Sequence, residues 1–481
     1  MAERPNILLI MADQMRADCL GCTGAGAAHT PNLDALARQG ILFSSAYSST
    51  PSCTPARAGL LTGWSPWRHG MLGYGRIAGS YANEMPRMLA DAGYSTTAIG
   101  KLHYFPQRHT HGFQTALLDE SGRVETPGFV SDYRQWFKRE APDLDPDATG
   151  LGWNDFDART YALPERLHPT QWTGDRAVER LSEVDESRPF FLKVSFARPH
   201  SPYDPPERLA RRFDGAAVPA AAVGAWAEKF AHRGEEPRSD AWCGDLGAEQ
   251  VRKSRRAYYA GVAFIDEQVG RIVEALKSRK LLERTLIVFT ADHGDMLGDH
   301  NLWRKTYPYE GSARIPMILR WPEGMVRARR GLKSGKPVEL RDVLPTFVDA
   351  AGLRAGPHTF DGQTLLDLVR RRDAPWRETL DLEHCQCYVR ENDWNALTDG
   401  RMKYVWWAYT GQEQLFDLRA DPHELRDLAR EPARAGELAE WRGRMVRHLT
   451  PRGDRFARDG RPVVRTKSVL YSPNFPAGDK P

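Results

Sequence analysis

Cysteine is scarce, with six residues in a chain of 481. So sparse a set excludes a disulfide-stapled secreted scaffold, which packs several cysteines into a short chain. Long apolar runs are missing too. The run Ile7–Ala12 is too short for a signal h-region. No segment reaches the roughly 18 apolar residues of a spanning helix. The expectation is a soluble, cytoplasmic protein without a membrane partner, or a periplasmic one if a leader has been removed. An excess of one charge is also missing. Lys plus Arg is 67 against 63 for Asp plus Glu, a net of +4. That balance gives no reason to expect nucleic acid as a partner.

What is present suffices for a core. Hydrophobic residues make up 41% and charged residues 27%, the balance of a folded chain. The length allows one oversized domain with a smaller companion. Short apolar runs read as strands: Asn6–Ala12, Ser95–Ile99, Phe190–Phe196, Leu286–Ala291 and Pro316–Trp321. Most are continuous rather than alternating, the pattern of a sheet covered on both faces. Helices lie between them. Thr30 and Pro31 read as a cap and a first-turn proline, Leu33, Leu36 and Ala37 share one face, and Gly40 closes the helix. Met85, Met88 and Leu89 repeat the scheme and end at Gly93. Val262, Ile265, Val269, Ile272 and Leu276 mark a longer amphipathic helix. The alternation predicts an α/β fold, a large mostly parallel sheet flanked by helices.

The pattern changes near residue 375. Thr379–Cys385, Asp393–Thr398, Met402–Trp407 and Glu413–Leu418 read as short strands joined by turns such as Asp399-Gly400. A helix over 433–449 follows Pro432. The expected organisation is a large α/β domain over 1–375, a small antiparallel sheet with one helix over 376–450, and an irregular tail over 451–481. The tail keeps Val469, Leu470, Tyr471 and Phe475. This predicts that it docks on the main domain or on a second copy in a homo-oligomer. Two stretches of weak periodicity, 119–172 and 199–250, are expected to be functional loops.

Ligands of open α/β sheets bind just beyond the carboxyl ends of strands. Asp13-Gln14 follow the first run and Gly100-Lys101-Leu102-His103 the second. Arg198-Pro199-His200 follow the third and Asp292-His293-Gly294-Asp295 the fourth. Asp13, Asp292, the amide oxygen of Gln14 and the imidazole of His293 suit a hard or borderline divalent cation, with Gln14 either a ligand or the neighbour of one. Lys101, His103 and His200 suit an anionic substrate and its proton transfers. A metal beside such cations points to phosphate or sulfate chemistry.

One segment remains, Pro51-Ser52-Cys53-Thr54-Pro55-Ala56-Arg57-Ala58-Gly59-Leu60-Leu61-Thr62-Gly63. Cys53-x-Pro55-x-Arg57, continued by Leu61-Thr62-Gly63, resembles the signature of the sulfatase family. The other matches are Asp13, Thr30-Pro31-Asn32-Leu33-Asp34, Lys101-x-His103, Pro199-His200-Ser201-Pro202, Asp292-His293 and Lys305. The resemblance covers about residues 4–430. It implies an alkaline-phosphatase-like α/β fold with a smaller C-terminal subdomain. It also implies that Cys53 is oxidised to formylglycine by a formylglycine-generating or sulfatase-maturing enzyme. One divalent metal, Ca²⁺ ahead of Mn²⁺, would be held by Asp13, Gln14, residue 53, Asp292 and His293. The implied substrate is a small-molecule or glycan sulfate ester.

In the implied mechanism the aldehyde at position 53 is hydrated to a gem-diol, and Asp292 takes the proton of the hydroxyl that attacks sulfur. His200 protonates the departing alkoxide while Lys101 and Lys305 hold the sulfate oxygens. His103 then deprotonates the second hydroxyl so that sulfate leaves. Arg57 orients residue 53. Many family members carry paired Asp at the first metal segment and Asp-Asn at the second, where this chain has Asp13-Gln14 and Asp292-His293. These variants resemble choline sulfatase and phosphonate monoester hydrolase. They leave phosphonate monoester or phosphodiester hydrolysis as the alternative, and a non-catalytic anion-binding protein as a remote one.

Other features carry less. Gly21, Gly24 and Gly26 read as a turn rather than a phosphate loop. Cys19 with Cys22, and Cys385 with Cys387, lack partner pairs at zinc spacing and read as structural thiols. Trp153, Trp172 and Trp242, in or beside the long loops, either wall a sugar or aryl site or pack the interior.

Overall fold

The computed structural model describes residues 4–232, 238–353, 359–371, 373–476 and 478; residues 233–237 of the second long loop lie outside the described residues. Eight strands form the large sheet: β1 (Asn6–Asp13), β2 (Ile41–Phe43), β3 (Ser95–Gly100), β4 (Thr115–Leu118), β5 (Phe190–Pro199), β6 (Thr285–Ala291), β7 (Met317–Arg320) and β8 (Leu332–Ser334). Their order is β4-β3-β5-β1-β6-β7-β2-β8. All pairings are parallel except those of β7, which runs antiparallel to β6 and β2. Every residue of β1, β5 and β6 is buried, as continuous apolar strands covered on both faces must be. The carboxyl ends of β3, β5, β1 and β6 therefore lie side by side on one rim. The three-residue strands β2 and β8 are too short for periodicity to reveal.

The flanking helices include α1 (Pro31–Arg38), α2 (Cys53–Thr62), α3 (Met85–Asp91), α4 (Pro169–Ser182) and α5 (Gly247–Ser278). The stripe Val262, Ile265, Val269, Ile272 and Leu276 of α5 is buried, and α5 packs on α4 and β5. One expectation fails at α1. The Thr30 side chain does not cap it, because its hydroxyl donates to Asp34 and accepts from the Gly21 amide. The orphan amides of Asn32 and Leu33 are taken by Asp266 of α5, at 3.2 and 2.8 Å. A tertiary carboxylate thus replaces the local cap. The Gly21 segment is a short 3-10 turn closed by Gly24 in the left-handed region.

The second sheet is an antiparallel meander of β9 (Leu380–His384), β10 (Trp394–Thr398), β11 (Met402–Trp407) and β12 (Gln412–Asp417). Side chains alternate across it with period two. Leu397, Tyr404, Trp406 and Leu415 pack under α6 (Ala435–Leu449), against Leu438, Trp441 and Met445. Leu382, Trp394, Ala396, Val405 and Phe416 face Tyr47, Tyr307 and Tyr309 of the larger unit. The tail docks on the main domain. Its Leu470 carbonyl accepts from Leu72, its Ser472 amide donates to Gly70, and Phe475 is buried in the main core. No described helix is long and apolar enough to cross a membrane.

Candidate active site

Four strand ends and one helix start converge on the rim. β1 delivers Asp13, and Gln14 turns away at φ 62° so that its amide donates to Asp292 Oδ1 at 3.0 Å. β3 ends at Gly100, whose φ of 94° favours glycine. A Cβ there would strike the Ser195 carbonyl, so the chain can cross β5 closely and release Lys101. Beyond β5 the His200 amide donates to the Asp13 carbonyl at 3.1 Å. β6 releases Asp292 and His293. Cys53 is the first residue of α2, which is buried along its whole length.

Asp13, Cys53, Asp292 and His293 form one cluster, with a ligand atom of each within 4.8 Å of the others. Cys53 Sγ lies 3.2 Å from His293 Nε2 and 3.8 Å from Asp13 Oδ1. The His293 Nδ1 faces the Gly294 carbonyl at 2.9 Å. A carbonyl can only accept, so Nδ1 carries the proton and Nε2 turns its lone pair to the cluster. Two carboxylates and an oriented imidazole fit a divalent cation with the aid of an oxygen at position 53. Burial opposes a charge on His293, but Asp292 and Cys53 outweigh it and raise its proton affinity. The same field draws a cation to Nε2, where proton and metal compete. Cys19, Cys22, Cys385 and Cys387 are outside this cluster.

Arg57, one turn after residue 53 on α2, bonds the groups around that residue. Its guanidinium donates to Asp292 Oδ2 at 3.0 and 2.9 Å, to Asp13 at 3.4 Å, and to the Lys101 carbonyl at 2.7 Å. Arg57 therefore fixes the two carboxylates and the turn that carries Lys101. Burial alone would raise the Asp13 pKa, yet Lys101, His200 and Arg57 hold it well below the usual carboxylate range.

Cationic groups adjoin the cluster. Lys101 pairs with Asp13 and lies 3.9 Å from Cys53 Sγ. Lys305 donates to Gln14 Oε1 at 2.6 Å and meets His200 Nε2 at 2.7 Å. Burial pushes both Lys305 and His200 down, and Lys305 adds to the fall at His200. Burial and Asp13 oppose the Cys53 thiolate, but Lys101, Lys305 and His293 hold the thiol pKa well below its ordinary value. The pocket is thus built to hold negative charge.

The sequence model of the family described as Sulfatase matches residues 5–353, a span that includes every residue of this cluster and the cationic groups beside it. The chain belongs to the sulfatase family. A second model, the C-terminal part of N-sulphoglucosamine sulphohydrolase, matches residues 298–449. An arylsulfatase of Clostridium perfringens is 36% identical over 477 residues, 96% of this chain and 98% of that protein. A choline-sulfatase of Rhizobium meliloti is 33% identical over 457 residues, 89% of this chain and 83% of that protein. Among solved structures, a phosphonate monoester hydrolase of Agrobacterium radiobacter superposes with a TM-score of 0.79 at 27% identity, over 96% of this chain and all of that one. Membership of the sulfatase family implies a formylglycine and a divalent metal.

Several residues of this sulfatase-family site carry no sequence motif. Glu120 Oε1 accepts from both Leu102 and His103 amides at 2.9 Å, which holds His103 at its φ of 56°. Glu125 Oε1 lies 3.0 Å from His103 Nε2. That hydrogen bond keeps the Glu125 pKa low against burial. Asp295 accepts from Gln14 Nε2 at 2.5 Å and from the Tyr203 hydroxyl at 2.6 Å. His384 of β9 bonds Ser52, the residue before Cys53, at 2.9 Å. Burial pushes His384 down to about 4, so it stays neutral and accepts from that hydroxyl. Position in the first long loop was the signal available for Glu120 and Glu125. Asp295 follows the second metal segment by two residues, and nothing in the sequence marks His384.

Proposed function

We propose that the chain hydrolyses sulfate esters, with residue 53 as nucleophile after oxidation of Cys53 to formylglycine. The observation that carries this reading is the placement of Cys53, clustered with two buried carboxylates and His293 and in the field of Lys101 and Lys305. The curated relatives named arylsulfatase and choline-sulfatase support it. Asp13, Asp292, His293 and residue 53 would hold the metal, with Gln14 beside them. We take it to be Ca²⁺, with Mn²⁺, which accepts an imidazole more readily, as the alternative. When bound, the metal supplies a Lewis acid that lowers the pKa of a hydroxyl at its centre.

The chain's own residues do the rest. A hydroxyl of hydrated residue 53 attacks sulfur, and Asp292 takes its proton. The S–O bond to the alcohol breaks as Lys101 and Lys305 hold the sulfuryl oxygens. The departing oxygen takes its proton from the His200–Lys305 pair. His103 removes the proton of the second hydroxyl on residue 53, its C–O bond to the sulfate breaks, and the aldehyde returns. Arg57 holds Asp13 and Asp292 throughout.

The conversion needs an oxidising maturation enzyme as a partner. Active protein should carry residue 53 about 18 Da lighter than cysteine, as conversion of the thiol to the nucleophile's aldehyde requires. Activity from wholly unconverted protein would remove formylglycine from the reading. Gln14 and His293, with the fold match to a phosphonate monoester hydrolase, favour phosphonate monoesters or phosphodiesters as a second reading. Paired kcat/KM values for matched sulfate and phosphorus esters separate the two.

A further inference from the structure

A cavity of about 420 Å³ opens beside the cationic groups of the site, lined among others by Asp119, Arg123, Glu125, Arg134, Trp153 and Arg198. Two contacts join it to the site. Arg123 Nη2 lies 3.4 Å from His200 Nε2, and Glu125 meets His103. The cavity therefore adjoins His200 and His103, the two groups proposed to move protons.

Two of its three arginines are paired with carboxylates. Arg198 makes two hydrogen bonds to Asp204 at 2.8 and 2.9 Å. Arg134 makes two to Asp147 at 2.6 and 2.7 Å. Among the described residues Arg123 has no carboxylate partner within ion-pair distance, and its Nε and Nη1 are buried without a hydrogen-bond partner. The residue is only 6% exposed. Burying an unpaired guanidinium is strongly destabilising, so such a group is expected where a ligand completes it. The Trp153 ring lies over the guanidinium, 4.1 Å from its centre. Asp119 Oδ2, also buried in this lining, has no hydrogen-bond partner either.

The loop is built to hold this arginine. Gln107 Nε2 donates to the Arg123 carbonyl at 3.0 Å, and its Oε1 accepts from the amides of Glu125 and Thr126 at 2.8 and 3.0 Å. The Arg123 amide donates to Glu120 at 3.0 Å. Backbone fixed on both sides of a side chain is how a binding group is preorganised.

We infer that Arg123 and Trp153 form a subsite for a second anionic group on the leaving alcohol, a carboxylate or another sulfate. The inference rests on the sulfate-ester reading and narrows it to esters of anionic alcohols such as polysulfated or uronate-bearing sugars. Asp119 accepts a hydroxyl of the same sugar.

The test measures sulfate release in three steps. Sulfate release by wild-type enzyme carrying the converted residue 53, from 4-nitrophenyl sulfate or any of the sulfated sugars below, comes first, and its absence from all of them overturns the sulfate reading and this one with it. Next, kcat/KM is compared for mono- and disulfated glucosamine, and for neutral and uronate-bearing sulfated disaccharides. Wild-type enzyme should prefer the doubly anionic member by roughly tenfold or more, as a charged hydrogen bond requires. No such preference overturns the subsite alone. Arg123→Gln should bring that ratio close to one. An equal fall for both members would make the reacting sulfuryl group the partner of Arg123 and overturn the inference. If Arg123→Gln does not fold, Arg123→Lys keeps the charge but loses the fork. It should lower the ratio several-fold, and an unchanged ratio there counts against the subsite.

Discussion

The ammonium of Lys305 lies 2.7 Å from Nε2 of His200. His200 Nδ1 faces the Ser201 carbonyl at 2.9 Å, so it holds the imidazole proton and Nε2 accepts from Lys305. The proton for a departing alkoxide is then shared by the pair rather than owned by His200. His200→Ala and Lys305→Ala should each lower kcat on an alkyl sulfate by about 10²–10⁴, the usual range for general acid catalysis. The double variant should fall little further, because the two act as a unit. The losses should shrink with 4-nitrophenyl sulfate, whose leaving group needs less protonation. Multiplicative single losses would refute the pairing.

Glu120 positions Lys101 and His103 through two backbone hydrogen bonds at 2.9 Å, both to one carboxylate oxygen. The role needs an acceptor rather than a charge. Glu120→Gln should therefore keep most of kcat/KM, while Glu120→Ala should lose on the order of 10²-fold, the scale of a misplacement near 1 Å. Equal losses in Gln and Ala variants would mean that the charge of Glu120, not its geometry, matters.

The metal cluster predicts a stability signature independent of turnover. A ligand that binds only the folded chain stabilises it by about 4 kcal/mol at a thousandfold excess over its Kd. Chelation should lower the Tm of the wild-type protein by several degrees, and Ca²⁺ should restore it. Asp13→Asn and Asp292→Asn, each at a buried ligand, should respond weakly or not at all. A full chelator response in both variants would put the metal elsewhere.

The strand ends were legible because β1, β3, β5 and β6 are continuous apolar runs and the residues after them are chemically unlike their surroundings. The Cys53 segment was legible as a motif. What escaped the sequence is tertiary. Asp266 caps α1 from 234 residues away, which no local rule for Thr30 can anticipate. The role of Arg57 came from the family resemblance, and its partners Asp13, Ser195, Asp292 and the Lys101 carbonyl arrive from four strands, which no local spacing reveals. Glu120 and Glu125 lie in an aperiodic loop whose only sequence signal was its length. His384 reaches Ser52 from the second sheet, a contact set by how the two sheets pack. The N-terminal half of α5 stayed hidden because its Arg252, Lys253, Arg255 and Arg256 blur the apolar period.

Lys193 supplies the last prediction. It stands on β5, only 2% exposed, and burial, aided by Arg57, pushes its pKa from 10.5 down to about 7. The sign follows from proton binding. Below pH 7 the lysine is charged in both the folded and unfolded chain, and its desolvation weighs fully against folding. Between pH 7 and 10.5 the unfolded chain binds the extra proton, so stability from this group rises with pH. Above 10.5 the penalty is gone. At about 1.4 kcal/mol for each pKa unit, the cost at pH 6 is a few kcal/mol. Lys193→Met keeps the volume and removes the charge. Its gain in Tm should be largest near pH 6 and fade toward pH 10. A gain that grows with pH, or a loss at pH 6, would show that Lys193 contributes a favourable charge interaction that outweighs its burial.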